Sequence, residues 1–247
     1  MLTHLAGIMT QMLHFADLMS LKASLFMHIP KTAGTSIIDL ARMYYGRGNV
    51  ISHGDYIDKQ PQELIGAAFI SGHFGYEYAS KLMKERFSFT FLRDPVDRIL
   101  SSYYFCLTRD PDEFPEYKLA QENSLDRYLE LVNESKQSGV WNCQTRLLAH
   151  SWKSVPEFSE NELVDLAVRH LDDFSHVGFT ETFDEDMEVV VGKLGFVGAK
   201  HIKKSNVTKV RGMYGELPSY TKELLDRASE LDRHVYEHAW ARRRSRP

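Results

Sequence analysis

The chain has 247 residues, of which 43% are hydrophobic and 26% are charged, and its formal net charge is −4. A chain of this length can bury a substantial core as one domain, and its acidic balance predicts no nucleic acid partner and no general attraction to anionic membranes. Cys106 and Cys143 lie far apart and outside any CxxC or Cys/His spacing, and the eleven histidines are scattered. The sequence therefore predicts two reduced thiols and no metal site.

Residues 1–20 are apolar, but His4, Gln11, His14 and Asp17 interrupt them and no basic leader precedes them. A secretory signal begins with positive charge, and a membrane span needs about twenty consecutive apolar residues. We therefore expect an N-terminal amphipathic helix at 1–20, packed on the domain or on a partner, and no membrane span.

The first strand-like stretch runs directly into a loop of Lys, Gly and hydroxyl residues that opens a helix. The loop comprises Lys31, Thr32, Ala33, Gly34, Thr35 and Ser36. Unsatisfied N–H groups and the helix dipole make such a helix start attractive to phosphate, and Lys31 adds a full positive charge. A nucleotide-triphosphatase loop is excluded because Lys31 precedes Gly34 and no Gly-Lys-Ser/Thr triplet occurs. The alternative to a phosphate-binding loop is an ordinary strand-turn-helix junction.

A histidine, His73, follows the second predicted strand in the sequence Gly-His-Phe-Gly. An imidazole that titrates near neutral pH is suited to removing a proton from a hydroxyl. A histidine at the end of a strand is by itself more often structural, so the residue type alone does not decide its role.

The third predicted strand ends in Arg-Asp-Pro-Val-Asp-Arg at 93–98, where a second helix begins. Asp94 is suited to the N-cap, Pro95 to the first helical position and Asp97 to a capping box, so the helix start is well specified. The two arginines either bind a second phosphate or pair with the two aspartates around the helix end.

Strand-like and helix-like stretches alternate along the chain, which predicts an α/β fold with a central, mainly parallel sheet flanked by helices. The predicted strands are 24–29, 67–71, 87–92 and 176–179. The predicted helices are 35–45, 76–83, 96–107, 125–133, 142–150, 162–170, 184–194 and 220–241. Segment 108–123 is expected to be an exposed insertion and 242–247 a solvated basic tail, with a polyanion-docking role as the alternative. Ligands of such folds bind at the carboxyl ends of the strands.

The sequence His-Ile-Pro-Lys-Thr-Ala-Gly-Thr-Ser at 28–36 resembles the 5'-phosphosulfate loop of sulfotransferases that use 3'-phosphoadenosine 5'-phosphosulfate (PAPS). The likeness is greatest to the branch of the carbohydrate 2-O and 6-O enzymes. Their 3'-phosphate motif, Arg-Asp-Pro-x-Asp/Glu-Arg-x-x-Ser, is matched by Arg93, Asp94, Pro95, Asp97, Arg98 and Ser101. The resemblance implies one sulfotransferase domain over 1–247, a three-layer P-loop-like fold, PAPS as donor, 3'-phosphoadenosine 5'-phosphate (PAP) as product, and no required metal.

The resemblance also implies roles for individual residues. His73 corresponds to the general base of the carbohydrate branch, and Lys31 would neutralise the leaving phosphate while residues 34–36 hold the remaining oxygens. Arg93 and Ser101 would hold the 3'-phosphate. Lys203 and Lys204 lie in a basic loop that would close over the same phosphate, although this loop departs from the Arg-Lys-Gly-x-x-Gly form of the cytosolic enzymes.

Two later segments resemble the family less specifically. Asn-Cys-Gln-Thr-Arg at 142–146 resembles a helix start of the 6-O branch that would line the acceptor groove, and the alternative is an amphipathic helix capped by Asn142. The stretch 176–183 resembles a family strand that ends in Thr-Glu, which we expect to be a structural junction.

The expected function is transfer of a sulfuryl group to a hydroxyl, or less favourably an amine, of a carbohydrate or small metabolite. The alternatives are a small-molecule kinase of similar fold and a non-catalytic nucleotide-binding protein. The acidic balance favours a neutral or cationic small molecule or a sparsely charged glycan over a heparin-like polymer. A cytoplasmic location is expected, with a Golgi-lumenal catalytic domain lacking its anchor as the alternative, and a homo-oligomer stays open.

Overall fold

The computed structural model of the chain describes residues 22–136, 139–152, 158–196 and 214–245. One sheet of five strands lies at the centre of these residues. The strands are β1 (Ser24–Met27), β2 (Val50–Ile51), β3 (Phe69–Gly72), β4 (Phe87–Leu92) and β5 (His176–Phe179). They pair in the order β2-β3-β1-β4-β5, and every pair is parallel. The prediction of an α/β fold with a central parallel sheet is confirmed.

Eleven α-helices surround the sheet in the described part of the chain. They are α1 (Gly34–Tyr45), α2 (Pro61–Leu64), α3 (Tyr76–Ala79), α4 (Pro95–Cys106), α5 (Pro115–Glu122), α6 (Leu125–Ser135), α7 (Cys143–Ala149), α8 (Glu160–His170), α9 (Phe183–Leu194), α10 (Ser219–Ala228) and α11 (Glu230–Arg244). None of these helices is both long enough and apolar enough to cross a membrane.

The core has two halves, one on each face of the sheet. Alternation along β1 sends Leu25 and Met27 into one half and Phe26 into the other. The Phe26 half is closed by side chains of α1 and α9, and the other half by most of the remaining helices. This arrangement gives the three layers expected of the fold.

The register of the central strands brings three loops to one edge of the sheet. Met27 of β1 lies opposite Gly72 of β3 on one side and opposite Thr90 of β4 on the other. Because all three strands run in the same direction, the residues that follow them emerge side by side. The loops that carry Lys31, His73 and Arg93 are therefore neighbours.

Several predicted boundaries differ from the structure. The segment 108–123 contains α5, which begins at a proline in the first helical position and buries Ala120 against the core. The helix predicted at 220–241 is two helices separated at Ser229, whose hydroxyl donates to the carbonyl of Leu225 at 2.7 Å. The strand β2 and the single-turn helix α2 were not predicted.

The basic C-terminal run is not simply a solvated tail. Helix α11 continues to Arg244, and Arg243 pairs with Glu185 of α9 at 3.1 Å. Arg242 forms a second ion pair, with Asp172. The predicted helix at 1–20 and the loop with Lys203 and Lys204 lie outside the described residues.

Candidate active site

The loop between β1 and α1 is held in an unusual backbone conformation. Lys31 and Ala33 both have positive φ, 72° and 66°. Thr32 is fully buried, and its hydroxyl donates to the carbonyl of Ile29 at 2.8 Å. The Thr32 hydroxyl therefore stabilises the loop from within, and Thr35 and Ser36, at the first turn of α1, are the hydroxyl residues nearest the helix start.

The glycine at the start of α1 is required by a histidine side chain. A Cβ atom at Gly34 would lie 2.0 Å from Nε2 of His28, and even the nearest carbon of that ring would be only 2.3 Å away. Any side chain at this position would collide with the imidazole. Gly34 thus lets the helix N-terminus approach the end of β1 closely, which is where an anion would bind.

Lys31 lies at the open edge of the sheet beside an aromatic ring of α4. Its Nζ atom is 3.7 Å from the centroid of the Phe105 ring, and the guanidinium of Arg109 lies 4.2 Å from the same centroid. Burial, together with the charges of Arg93 and Arg109, lowers the pKa of Lys31 to about 8. Lys31 makes no ion pair with a carboxylate in the described part of the chain.

Arg93 connects the loop that follows β4 to the loop that follows β1. Its Nη1 atom donates to the carbonyl of Lys31 at 3.1 Å. Its own backbone is held by the Gln144 side chain, which accepts from the Arg93 N–H at 3.0 Å and donates to the Arg93 carbonyl at 2.9 Å. The Arg93 backbone is therefore fixed by Gln144 and its guanidinium is directed to the Lys31 loop, while the residue remains 8% exposed.

The helix start after Arg93 is capped as predicted. The Asp94 carboxylate accepts from the N–H of Asp97 at 3.0 Å, and Pro95 occupies the first helical position. The N–H of Asp94 donates to the Glu181 carboxylate at 2.9 Å, so the stretch after β5 is joined structurally to this loop. Ser101 lies further along α4, 7% exposed, and its hydroxyl makes no hydrogen bond within the part of the chain that the structure describes.

Arg98 lies inside the core and not at the edge of the sheet with Lys31 and Arg93. Its side chain is fully buried, donates to the carbonyl of Val140 at 2.6 Å and lies 3.9 Å from the Asp232 carboxylate. The alternative in which its side chain pairs with Asp94 or Asp97 does not hold. Arg98 instead connects α4 to α11 inside the core.

The segment at 142–146 differs from both predictions made for it. Asn142, Gln144, Thr145 and Arg146 are each at most 1% exposed, so these side chains do not line an open groove. Asn142 does not cap its own helix, because its Oδ1 atom accepts from the N–H groups of Leu231 and Asp232 at the start of α11, at 2.9 and 3.1 Å.

Asp232 in turn caps α7. Its carboxylate accepts from the N–H groups of Gln144 at 3.3 Å and Thr145 at 2.7 Å. The two helices thus cap each other through Asn142 and Asp232. This reciprocal capping fixes α7, and α7 carries the Gln144 side chain that holds Arg93.

His73 directly follows β3 and faces a second imidazole. Its Nε2 atom is 3.2 Å from Nδ1 of His28, and its carbonyl accepts from the Trp152 indole N–H at 2.5 Å. Burial lowers the pKa of His73 to about 4, and the nearby charges of His53 and Lys31 act in the same direction. The ring is therefore neutral near pH 7 and can accept a proton, but its pKa lies below the near-neutral range on which the sequence argument relied.

The family model described as the Sulfotransferase family matches residues 22–238. The chain belongs to this family. No curated protein sequence matches the chain. The resemblance noted in the sequence is thereby confirmed at the level of the family, whose members transfer sulfuryl groups.

This sulfotransferase brings together most of the predicted site residues, namely Lys31, Ala33, Gly34, Thr35, Ser36, His73 and Arg93, at the ends of β1, β3 and β4. The site also contains residues that the sequence did not single out, which are His28, Phe105 and Arg109. The sequence shows that His28 follows β1. It does not show that His73 lies beside His28, because the order of strands in a sheet cannot be read from the sequence.

Proposed function

We propose that the chain transfers the sulfuryl group of PAPS to a hydroxyl, or less favourably an amine, of a carbohydrate or small metabolite. The observation that carries this proposal is the hydrogen bond from Arg93 to the Lys31 carbonyl at 3.1 Å. It holds together two phosphate loops on adjacent strands, each with its own cation. A nucleotide with two separate phosphate groups is the ligand that such a pair of loops suits.

The residues present are suited to such a donor. The N–H groups at the start of α1 and the Lys31 ammonium would bind the 5' side, with Thr35 and Ser36 as hydroxyl donors. Arg93 and Ser101 would bind the 3'-phosphate, and the Ser101 hydroxyl has no other partner among the described residues. Lys203 and Lys204 remain candidates for the same phosphate.

When bound, PAPS supplies a sulfuryl group on a phosphate leaving group. His73 would take the proton of the acceptor hydroxyl as the acceptor oxygen forms its bond to sulfur. The bond from sulfur to the bridging phosphate oxygen breaks, and its electron pair stays on that oxygen, where Lys31 would neutralise the charge. The products are a sulfate ester and PAP, and His73 returns its proton to water.

Lys31 is suited to this role because its ammonium is not already paired. Its resting contact is with the Phe105 ring, and a cation-aromatic contact of about 0.5–2 kcal/mol is readily exchanged for a phosphate. Burial and the neighbouring Arg93 lower its pKa, so an incoming anion would stabilise the charged form. The unbound site is thus electrostatically complementary to an anion.

The surroundings of the site support a weakly charged acceptor. Asp110, Asp112 and Glu113 are exposed in the segment that follows α4, close in sequence to Phe105 and Arg109 of the site. Carboxylates at a rim repel a polyanion. We therefore favour a neutral or cationic small molecule or a sparsely charged glycan over a heparin-like chain. The cytoplasmic location and a homo-oligomer remain predictions.

Radiolabelled transfer from PAPS to a panel of glycans, small alcohols and amines tests the proposal. We expect labelled product with the parent protein. His73→Ala should form at least a hundredfold less product, and its affinity for PAP should be unchanged. PAP binding without transfer to any acceptor would instead indicate a non-catalytic nucleotide-binding protein. A thermal shift with magnesium-ATP larger than the shift with PAP would favour the kinase instead.

A further inference from the structure

Two histidines occupy equivalent positions on adjacent strands. Met27 of β1 and Gly72 of β3 are paired, so the next residues, His28 and His73, leave the sheet together. The His28 N–H donates to the Gly72 carbonyl at 3.1 Å, which continues the ladder by one bond. The two rings then meet edge to face, with centroids 4.5 Å apart and a 3.2 Å contact between Nδ1 of His28 and Nε2 of His73.

The orientation of the His28 ring is fixed by its surroundings. Its ring stacks on Phe26 at 5.2 Å, and Gly34 lies so close to its Nε2 edge that no Cβ would fit there. The side chain is only 6% exposed. The Nδ1 atom of His28 therefore cannot turn away from His73 without a change in the surrounding packing.

Both rings are neutral, so the contact between them is a single N–H to N hydrogen bond. Burial is the main cause that holds the pKa of His28 well below its ordinary value, and Lys31 and the protonated forms of His73 and His53 act in the same direction. Two arrangements satisfy the bond. In one, His28 donates from Nδ1, and the lone pair on Nε2 of His73 is occupied. In the other, His73 donates from Nε2, and the lone pair on its Nδ1 remains available.

Only the second arrangement leaves His73 able to act as a base. We propose that His28 is a positioning residue whose Nδ1 accepts the Nε2 proton of His73 and so directs the acceptor proton to Nδ1 of His73. This inference rests on the proposed function. After proton transfer the His73 imidazolium keeps its bond to His28, and a bond from a charged donor is stronger than one from a neutral donor.

A neutral partner suits this site better than the carboxylate that often orients a catalytic histidine. A carboxylate about 4 Å from the bound anion would add like-charge repulsion, on the order of 1 kcal/mol even in bulk water and more in a buried site. His28 orients His73 without adding negative charge. The pair of His28 and His73 therefore suits a site whose donor carries several negative charges.

The first test needs no donor and no turnover. The ¹⁵N and ¹³C shifts of the His73 ring in the ligand-free protein report which nitrogen carries the proton, with His73→Gln used to assign the signals. The expected result is protonation at Nε2 with Nδ1 unprotonated. Protonation at Nδ1 would overturn the proposal, whether or not the protein proves to be a sulfotransferase.

The second test uses a pair of nearly isosteric substitutions. His28→Asn keeps an acceptor near the position of Nδ1, whereas His28→Leu removes it. We expect kcat to fall about 10- to 100-fold in His28→Leu, the range for lost orienting partners of histidine ligands, and to recover most of this in His28→Asn, with PAP affinity unchanged in both. Equal kcat in the two variants would show that His28 acts by packing alone and would overturn the proposal.

Discussion

Replacement of Gly34 by alanine is the most direct test of how tightly the phosphate loop is built. The new Cβ would lie 2.0 Å from the His28 ring, whereas an ordinary contact begins at 3.4 Å, so the ring must move by about 1.4 Å. A displacement of that size would break the 3.2 Å contact with His73 or the stacking on Phe26. Overpacking of this kind costs about 1–3 kcal/mol, of which up to about 1 kcal/mol is offset by the lower chain entropy of alanine.

We therefore expect urea unfolding to show Gly34→Ala destabilised by about 1–2 kcal/mol, the middle of the range that remains after this offset. Gly192 provides the matched control because it is also helical, in α9, and a Cβ there would meet nothing within 4 Å. Gly192→Ala should be neutral or stabilising by up to about 1 kcal/mol.

A double-mutant cycle then shows whether His28 is the cause of the loss. In Gly34→Ala combined with His28→Ala, the clash is absent, so the combined loss should fall short of the sum of the two single losses by about 1 kcal/mol or more. Additive losses, or a Gly34→Ala protein as stable as its parent, would refute the contact as described.

Three further predictions concern the cations and the buried support of the site. Lys31→Ala should lower turnover at saturating PAPS, whereas Arg93→Ala should mainly weaken PAP binding, and near-normal turnover in Lys31→Ala would remove its assigned role. Because the pKa of Lys31 in the free protein is about 8, PAP affinity should fall as pH rises through 8 in the parent but stay flat in Lys31→Arg, as measured by calorimetry. Asp232→Ala should lower the free energy of unfolding in urea by about 3–5 kcal/mol, because it leaves the buried Arg98 charge and two N–H groups without their partner. A loss below about 1 kcal/mol would contradict this interpretation.

The sequence predicted the strands β1, β3, β4 and β5 because each is an apolar run bounded by turn residues. It did not predict β2, which has only two residues and lacks a readable alternation. It also predicted one helix over 220–241 and missed the break between α10 and α11, since periodicity continues through Ser229 and only a local hydrogen bond marks the end. Elements with a clear local pattern could thus be predicted, whereas a two-residue strand and a break inside a continuous periodicity could not.

The same division applies to the candidate site. Lys31, Gly34, Arg93 and the cap at Asp94 follow from local motif and capping rules. The role of Asn142 could not be predicted, because its partners at the start of α11 lie almost ninety residues away in the chain. A side chain that caps a distant helix leaves the same sequence signature as one that caps its own.

The buried supports of the site help explain why the Lys31 ammonium makes no ion pair with a carboxylate in the described part of the chain. The buried carboxylate of Asp232, which caps the helix that carries Gln144, already interacts with Arg98 and with two N–H groups of α7. Glu181 is turned to the backbone of Asp94. Lys31 and Arg93 therefore keep their mutual repulsion, which contributes to the low pKa of Lys31. Binding of an anion relieves that repulsion, so the arrangement of the two loops itself favours a bisphosphorylated donor.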